Sequence, residues 1–133
     1  MSNYSEIIKT ALTMREKSYC KYSDFAVGAG LLTKDGSIYS GCNIENGAFS
    51  PTICAERVAI FKAVSEGVKE FEAIAIAGGS VGEAPKDFCS PCGVCRQVMT
   101  EFCDGDFKVI LVKSESEYKI YTLSEIMPLA FNL

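Results

Sequence analysis

Two short apolar segments on either side of a helical one constrain the fold of this chain more than any other feature. They are "AIAIAGG" (residues 73–79) and "KVILV" (residues 108–112), near-continuous apolar runs of the length typical of buried strands. Residues 92–103, which lie between them, follow a helical pattern. A strand–helix–strand unit places its two strands parallel, with a right-handed crossover. The chain is therefore predicted to contain a sheet with a parallel pair.

The remaining segments extend this unit into a mixed sheet. The dipeptide Asp35-Gly36 is a strong turn signal, so residues 25–43 are predicted to form a β-hairpin. Residues 54–66 are predicted to form a helix that is apolar nearly all round, which indicates burial on more than one side. The link "KSESE" before the last strand is too short for a parallel crossover, which needs about a dozen residues. The predicted fold class is α/β: a five-stranded mixed β-sheet between helices, with the last two strands antiparallel.

Length and charge narrow the class of protein. The 133 residues fit a single domain, residues 1–133. With a net charge of −4 and no basic cluster, nucleic acid is not expected as a partner. The charged N-terminus does not resemble a signal peptide, and no apolar run approaches the ~20 residues of a membrane span. We therefore expect a cytoplasmic protein without a membrane partner. A hydrophobic content of 48% slightly favours an oligomer.

Seven cysteines and a complete lack of histidine limit the metal chemistry open to the chain. Cys92 and Cys95, in "SPCGVCRQ", could be a redox pair, metal ligands or neither. Cys89 would extend them towards an iron–sulfur pattern, but Met99 stands where a ferredoxin run carries its fourth cysteine. Cys54 begins the other helix that follows a loop, and such helix starts gather at one crevice of an open α/β sheet. Three thiolates can therefore meet there.

The charged residues beside these cysteines favour a metal site. Arg57 and Arg96 lie in first helical turns, where the dipole disfavours a cation unless an anion such as a three-thiolate zinc centre is near. Three protein ligands and a water are typical of catalytic zinc, whereas a structural site would need a fourth ligand such as Cys42 or Cys89. Glu56 would be a general base beside an open site, although a lone glutamate there usually only complements the dipole.

Taken together, the motifs resemble the zinc nucleobase-deaminase superfamily. "CAE" (residues 54–56) followed by "PCGVC" (residues 91–95) matches its signature in the three-cysteine form. "FAVGAGLLTKDGSIYSGCNIEN", "CAERVAIFKAVSEG", "SPCGVCRQVMTEF" and "IMPLAF" all resemble cytidine deaminases of the small, homotetrameric type. The resemblance implies a five-stranded mixed sheet between helices and a Zn²⁺ cofactor. The implied reaction is hydrolytic deamination of cytidine and deoxycytidine, with release of ammonia, in pyrimidine salvage.

The resemblance also implies a role for individual residues at the metal. In it, the zinc ligands are Cys54, Cys92 and Cys95. Glu56 is the proton shuttle, and Arg57 hydrogen-bonds the thiolates.

Substrate contacts are implied in the same way. Asn43 and Glu45 would hold the ribose 3′-hydroxyl, and the substrate pocket would include Phe25, Val27 and Ala55. Phe131 would reach into the site of a neighbouring subunit, so that a homotetramer shares its active sites. Phe49 stands where many members of the family carry tyrosine, which puts any hydrogen bond from that hydroxyl in doubt.

Four alternatives stay open at this point. Polynucleotide deaminases share the zinc motif but resemble one another in a helix between the last two strands, for which "KSESE" leaves no room. Blasticidin-type deaminases are also small and carry three cysteines. A structural zinc module would bind zinc without turnover and leave Glu56 idle. A thiol redox protein would form a reversible Cys92–Cys95 disulfide and would not need Cys54.

Overall fold

The computed structural model describes residues 2–131 and 133, with side chains from Tyr4 onwards. The chain begins with a helix that continues into a short 3₁₀ turn. A β-hairpin, a helix, a strand–helix–strand unit, a last strand and a short helix then follow. In chain order the elements are α1 (Ser2–Met14), the 3₁₀ turn (Arg15–Lys17), β1 (Phe25–Thr33), β2 (Ile38–Cys42), α2 (Ala55–Ser65), β3 (Phe71–Ser80), α3 (Gly93–Phe102), β4 (Lys108–Ser114), β5 (Glu117–Thr122) and α4 (Leu123–Ile126).

The strands form one five-stranded sheet in the order β2-β1-β3-β4-β5. β3 and β4 pair in parallel through the crossover helix α3, whereas β1–β2, β1–β3 and β4–β5 are antiparallel. The turn between β4 and β5 contains no helix, since β4 ends at Ser114 and β5 begins at Glu117. The predicted fold class, an α/β mixed sheet between helices, is confirmed.

Each face of the sheet has its own hydrophobic core, because successive side chains of a strand point to opposite faces. On β3, Ile74 and Ile76 face the core formed with α2, α3 and α4. The alanines that alternate with them along β3 face a smaller core formed with α1. Both isoleucines are fully buried, and each such side chain contributes roughly 2 kcal/mol through the hydrophobic effect. Helices therefore cover both faces, and the face with α2 and α3 carries the cysteines.

A glycine in β2 lets α2 lie directly against the sheet. A Cβ atom at Gly41 would lie 2.2 Å from the carbonyl oxygen of Ala55 and 2.7 Å from the backbone nitrogen of Ala59. Distances this short leave no room for a side chain, so the first turn of α2 rests on the backbone of β2. This contact places the start of α2 next to Asn43, which directly follows β2.

None of the helices in the described part of the chain has the length and apolar character of a membrane span.

Candidate active site

Three cysteines from two helix starts meet at one end of the sheet. Cys54 is the N-cap of α2, Cys92 is the N-cap of α3, and Cys95 lies in the first turn of α3. Their sulfur atoms all lie within 4.8 Å of one another, and those of Cys54 and Cys92 are 3.7 Å apart. Tetrahedral zinc with Zn–S bonds of about 2.3 Å sets its sulfurs about 3.8 Å apart. The spacing and the soft thiol donors therefore fit zinc.

The cluster contains three ligands and leaves a fourth position open. Among the described residues, neither Cys42 nor Cys89 has its sulfur within 4.8 Å of all three cluster atoms. The fourth ligand that a structural site would need does not come from these cysteines. An open position is the arrangement of catalytic zinc sites.

The two first-turn arginines have different partners. Arg57 Nη2 donates to Cys54 Sγ at 3.5 Å, whereas its buried Nε has no hydrogen-bond partner among the described residues. Arg96 instead donates to the carbonyl oxygens of Pro91 at 2.8 Å and Ile126 at 2.6 Å. The expectation that an anion at the cysteines explains both arginines is therefore wrong for Arg96. Backbone carbonyls of the loop before α3 and of α4 offset its charge.

The thiols share their protons unequally. Hydrogen bonds with Cys95, then with Arg57 and Cys92, lower the pKa of the Cys54 thiol to about 5, against the opposing effect of burial. The bond with Cys54 and burial raise the pKa of Cys95. Of Cys54 and Cys95, Cys54 is thus the thiol that ionises first, and Arg57 supplies positive charge that favours its thiolate. This is the form in which cysteine binds a metal.

Glu56 lies two residues after Cys54, in the first turn of α2, and is buried, with 3% of its surface exposed. Burial, with a smaller contribution from the negative charge of Cys54, raises the pKa of its carboxyl group to about 7. A carboxyl group with a pKa near neutrality can both take up and give back a proton under physiological conditions. A glutamate that only complemented the helix dipole would instead be expected at the surface.

A cavity of about 220 Å³ joins the cysteines to the residues expected to bind substrate. The predicted residues that line it are Val27, Asn43, Glu45, Cys54, Ala55, Glu56 and Cys92. Four lining residues were not predicted: Thr52, Ile53, Cys89 and Ser90. All four directly precede the two cysteine motifs, so position next to a motif was the signal available for them.

Cys89 lines this cavity but lies outside the cysteine cluster. Burial, with added repulsion from Glu56 and Cys54, raises the pKa of its thiol to about 11. A thiol with so high a pKa stays protonated near neutral pH and is a poor nucleophile.

Both aromatic residues expected at the substrate lie outside that cavity in the single chain. Phe25 lines an adjoining cavity of about 200 Å³ that shares Cys89 as a common wall. Gly78 leaves room for this arrangement, since a Cβ there would lie 2.9 Å from the Phe25 ring. Phe131 is 67% exposed, and its carbonyl oxygen accepts a hydrogen bond from Gln97. Phe49 is 95% exposed.

Asn43 and Glu45 are held by the start of β1 and by the segment that precedes it. Asn43 Oδ1 accepts hydrogen bonds from Val27 N at 2.9 Å and from the hydroxyl of Ser18, and its Nδ2 donates to the carbonyl oxygen of Phe25 at 2.9 Å.

The Glu45 carboxylate accepts from the backbone nitrogens of Tyr22 and Ser23 at 3.0 and 3.1 Å, and from the Ser23 hydroxyl. These bonds, chiefly that of the Ser23 hydroxyl, lower the pKa of Glu45. The carboxylate is therefore ionised and held at the mouth of the cavity.

Comparison with known proteins agrees with this geometry. Residues 1–111 match the family described as "Cytidine and deoxycytidylate deaminase zinc-binding region". A cytidine deaminase of Sporosarcina psychrophila is 46% identical over 96% of this chain and 90% of its own length. The crystal structure of cytidine deaminase from Burkholderia pseudomallei superposes with a TM-score of 0.84 at 39% identity, over 95% of this chain and 97% of that one.

A more distant relative bears on the choice of substrate. A blasticidin-S deaminase of Bacillus cereus is 34% identical over 79% of this chain and 76% of its own length. The relatives thus include more than one kind of deaminase, and they share the family to which the cysteine motifs belong. Because the family match spans most of the chain and the first relative nearly all of it, this protein belongs to the cytidine and deoxycytidylate deaminase family.

Proposed function

We propose that this chain hydrolyses the exocyclic amino group of cytidine and deoxycytidine, giving uridine or deoxyuridine and ammonia. The observation that carries the proposal is a buried carboxyl group, Glu56, in the same cavity as Cys54 and Cys92, two of the three cysteines spaced to bind zinc. Cytidine deaminases that align over nearly the whole chain support the choice of substrate.

Cys54, Cys92 and Cys95 would hold a Zn²⁺ ion beside the cavity that Cys54 and Cys92 line. Zinc bound in this way supplies Lewis-acid activation of water. Three thiolates donate much negative charge to the ion, which makes it less able to favour ionisation of the water. The residues around the thiolates must therefore offset this charge. Arg57 does this through its hydrogen bond to Cys54, and the N-termini of α2 and α3 add their dipoles.

Glu56 would be the proton-transfer residue. Its carboxylate accepts a proton from the attacking water and passes it to N3 of the pyrimidine. It then accepts the second proton, from the new C4 hydroxyl, and passes it to the amino group, which leaves as ammonia while the C4 carbonyl forms. A pKa of about 7 suits these transfers, because acceptance and donation are then nearly balanced at neutral pH. In a chain without histidine, no other residue of these motifs is a better base.

The nucleoside would bind along the cavity. Asn43 and Glu45 would hold the ribose 3′-hydroxyl, while Val27 and Ala55 border the base and Phe25 lies beside it. These assignments are supported by the placement of Asn43 and Glu45 in the wall of the cavity that Cys54 and Cys92 also line. The adjoining cavity at Phe25 shares Cys89 with this cavity as a lining residue.

The protein is proposed to act as a homotetramer of single-domain chains, residues 1–133, in the cytoplasm, with a role in pyrimidine salvage. Phe49 and Phe131 support the assembly, because both aromatic side chains are mostly exposed in the single chain. A neighbouring copy would bury them, and Phe131 would complete that copy's active site. The net charge of −4 disfavours nucleic acid as a partner.

The proposal is tested by ammonia release from a panel of substrates. Purified protein with measured zinc content is mixed separately with cytidine, deoxycytidine, free cytosine, blasticidin S and single-stranded DNA. We expect ammonia from the two nucleosides, and much less from cytosine because it lacks the ribose. Release from blasticidin S alone would replace the proposed substrate, and no release from any compound would indicate a structural zinc site.

A further inference from the structure

The hydroxyl of Ser23 lies between the substrate cavity and the first strand. It accepts a hydrogen bond from Phe25 N at 3.1 Å and donates to Glu45 Oε2. A hydroxyl has one hydrogen to donate, and the Phe25 N–H already occupies its acceptor side. The direction of the Ser23–Glu45 bond is therefore fixed: the serine donates and the carboxylate accepts.

The turn around Ser23 is built so that its backbone also faces Glu45. Asp24 adopts a left-handed conformation with φ of 56°, and its N–H donates to the carbonyl oxygen of Cys20 at 2.8 Å. The nitrogens of Tyr22 and Ser23 then both point at Glu45 Oε1. Asparagine and aspartate tolerate this conformation better than most residues do. Three donors from one short turn thus converge on a single carboxylate.

Counting the remaining hydrogen-bond capacity shows what a ligand could use. Asn43 Oδ1 has two donors, Ser18 and Val27, and Glu45 Oε1 has two, Tyr22 and Ser23, so these two oxygens are saturated. Within the described residues, one hydrogen on Asn43 Nδ2 and one lone pair on Glu45 Oε2 have no partner. One donor and one acceptor at neighbouring positions match a hydroxyl that accepts from one group and donates to the other.

We propose that Ser23 is a positioning residue for Glu45, which restricts the carboxylate to one free acceptor and makes the site selective for a sugar hydroxyl that donates a hydrogen bond. This inference rests on the proposed function, in which Asn43 and Glu45 hold the ribose. Ser23 acts through Glu45 and does not itself line the cavity. Without the serine hydroxyl, Oε2 loses its internal donor, and the carboxylate can turn or bind water instead of the ligand.

The inference is tested by equilibrium binding in a Glu56→Gln background, where turnover does not interfere. Calorimetry compares cytidine with 3′-deoxycytidine and 3′-deoxy-3′-fluorocytidine, whose fluorine cannot donate. We expect cytidine to bind about tenfold or more tightly than either analogue, as for a hydrogen bond to a charged group. Adding Ser23→Ala should weaken the binding of cytidine about tenfold and leave that of 3′-deoxycytidine nearly unchanged. The preference for cytidine would then be lost.

Two further variants separate positioning from folding. Ser23→Thr keeps the hydroxyl and should restore most of the preference for cytidine, whereas Ser65→Ala, at the far end of α2, is a matched serine control that should retain it fully. The proposal is overturned if Ser23→Ala weakens the binding of cytidine and of 3′-deoxycytidine equally, since equal weakening is the result of general damage to the site. Retention of the full preference in Ser23→Ala also overturns the proposal.

The fluorinated analogue keeps the inference testable even if Ser23→Ala does not fold. If the Glu56→Gln protein binds it as tightly as cytidine, a donating hydroxyl is not required and the inference fails. Ammonia release by the unmodified protein is measured in parallel. If no ammonia is released but the predicted binding preferences are found, the proposed function is overturned and the inference about Ser23 is supported. If ammonia is released normally but the preferences are not found, the proposed function is supported and the inference is overturned.

Discussion

The sulfur atoms of Cys54 and Cys92 lie 3.7 Å apart, although 38 positions separate the two residues along the chain. Each cysteine is the N-cap of a helix that packs on the same face of the sheet. The parallel β3–β4 pair and the contact of α2 with β2 bring these helix starts together. The spacing that fits zinc is therefore a property of the fold and not of the Cys92–Cys95 motif alone.

Zinc retention should depend on Cys92 and not on Cys89. Cys92→Ser should reduce zinc affinity at least about a hundredfold, because a ligand of the three-thiolate set is lost. Cys89→Ser is the matched control: this residue lines the same cavity but its sulfur is outside the cluster. Zinc content after dialysis against a chelator measures both. Equal retention by the two variants would remove Cys92 from the ligand set.

Acid should release zinc, because protons compete with the metal for the Cys54 thiolate. Hydrogen bonds with Cys95 and Arg57 hold the folded-state pKa of Cys54 at about 5, below its ordinary value of 9.0. The thiolate that binds metal is thus present above that pH and is lost below it. Arg57→Gln removes one of these hydrogen bonds and should move the release to higher pH by about one unit.

The control for that shift is Lys62→Gln, which removes a cation from the same helix at an exposed position where the lysine contacts Ser40. Zinc release is followed with a colorimetric chelator across the pH range. An unchanged release midpoint in Arg57→Gln, or an equal shift in Lys62→Gln, would contradict a specific effect of Arg57 on the thiolate.

Gly41 should be intolerant of a side chain. A methyl group there would lie 2.2 Å from the Ala55 carbonyl oxygen, so Gly41→Ala must push α2 away from β2. We expect a loss of about 3 kcal/mol or more in the free energy of unfolding, and weaker zinc binding because Cys54 moves with the helix. Gly93→Ala, in open space at the start of α3, is the matched control and should be nearly neutral. Urea unfolding of both variants decides the matter, and equal stability would refute the close packing.

The order of elements and the cysteine cluster could be predicted from the sequence because both rest on local patterns. Continuous apolar runs, the Asp35-Gly36 turn and the short link before β5 fix strand directions without reference to the rest of the fold. Cys54, Cys92 and Cys95 follow from two short motifs, and the position of helix starts in an open sheet brings them together.

The partners of individual side chains could not be predicted in the same way. Arg57 and Arg96 both lie near the start of their helices, yet one binds a sulfur and the other binds the carbonyls of Pro91 and Ile126. The difference arises from where α4 packs, which is a long-range property. The bonds of Ser23 to Glu45 likewise depend on a left-handed turn at Asp24, and no residue pattern announces that conformation.

Assembly should depend on an aromatic side chain at position 49. Phe49→Ser should weaken association of the chains, because 95% of the phenylalanine is exposed in the single chain and a neighbour would bury it. Phe49→Tyr keeps the aromatic ring and is the matched control. Sedimentation velocity at several protein concentrations measures the mass of each variant. A monomer for the unmodified protein, or equal assembly in Phe49→Ser, would contradict the proposed homotetramer or the part of this residue in it.

The central claim is that a buried carboxyl group transfers protons beside a three-cysteine zinc site. It is tested most directly by the rate at which cytidine's ultraviolet absorption is lost, measured for the unmodified protein and for Glu56→Gln with zinc content determined in both samples. The account predicts equal zinc content and about a 10²–10⁴-fold slower rate for Glu56→Gln. A variant that retains its zinc and deaminates cytidine at nearly the unmodified rate would contradict it.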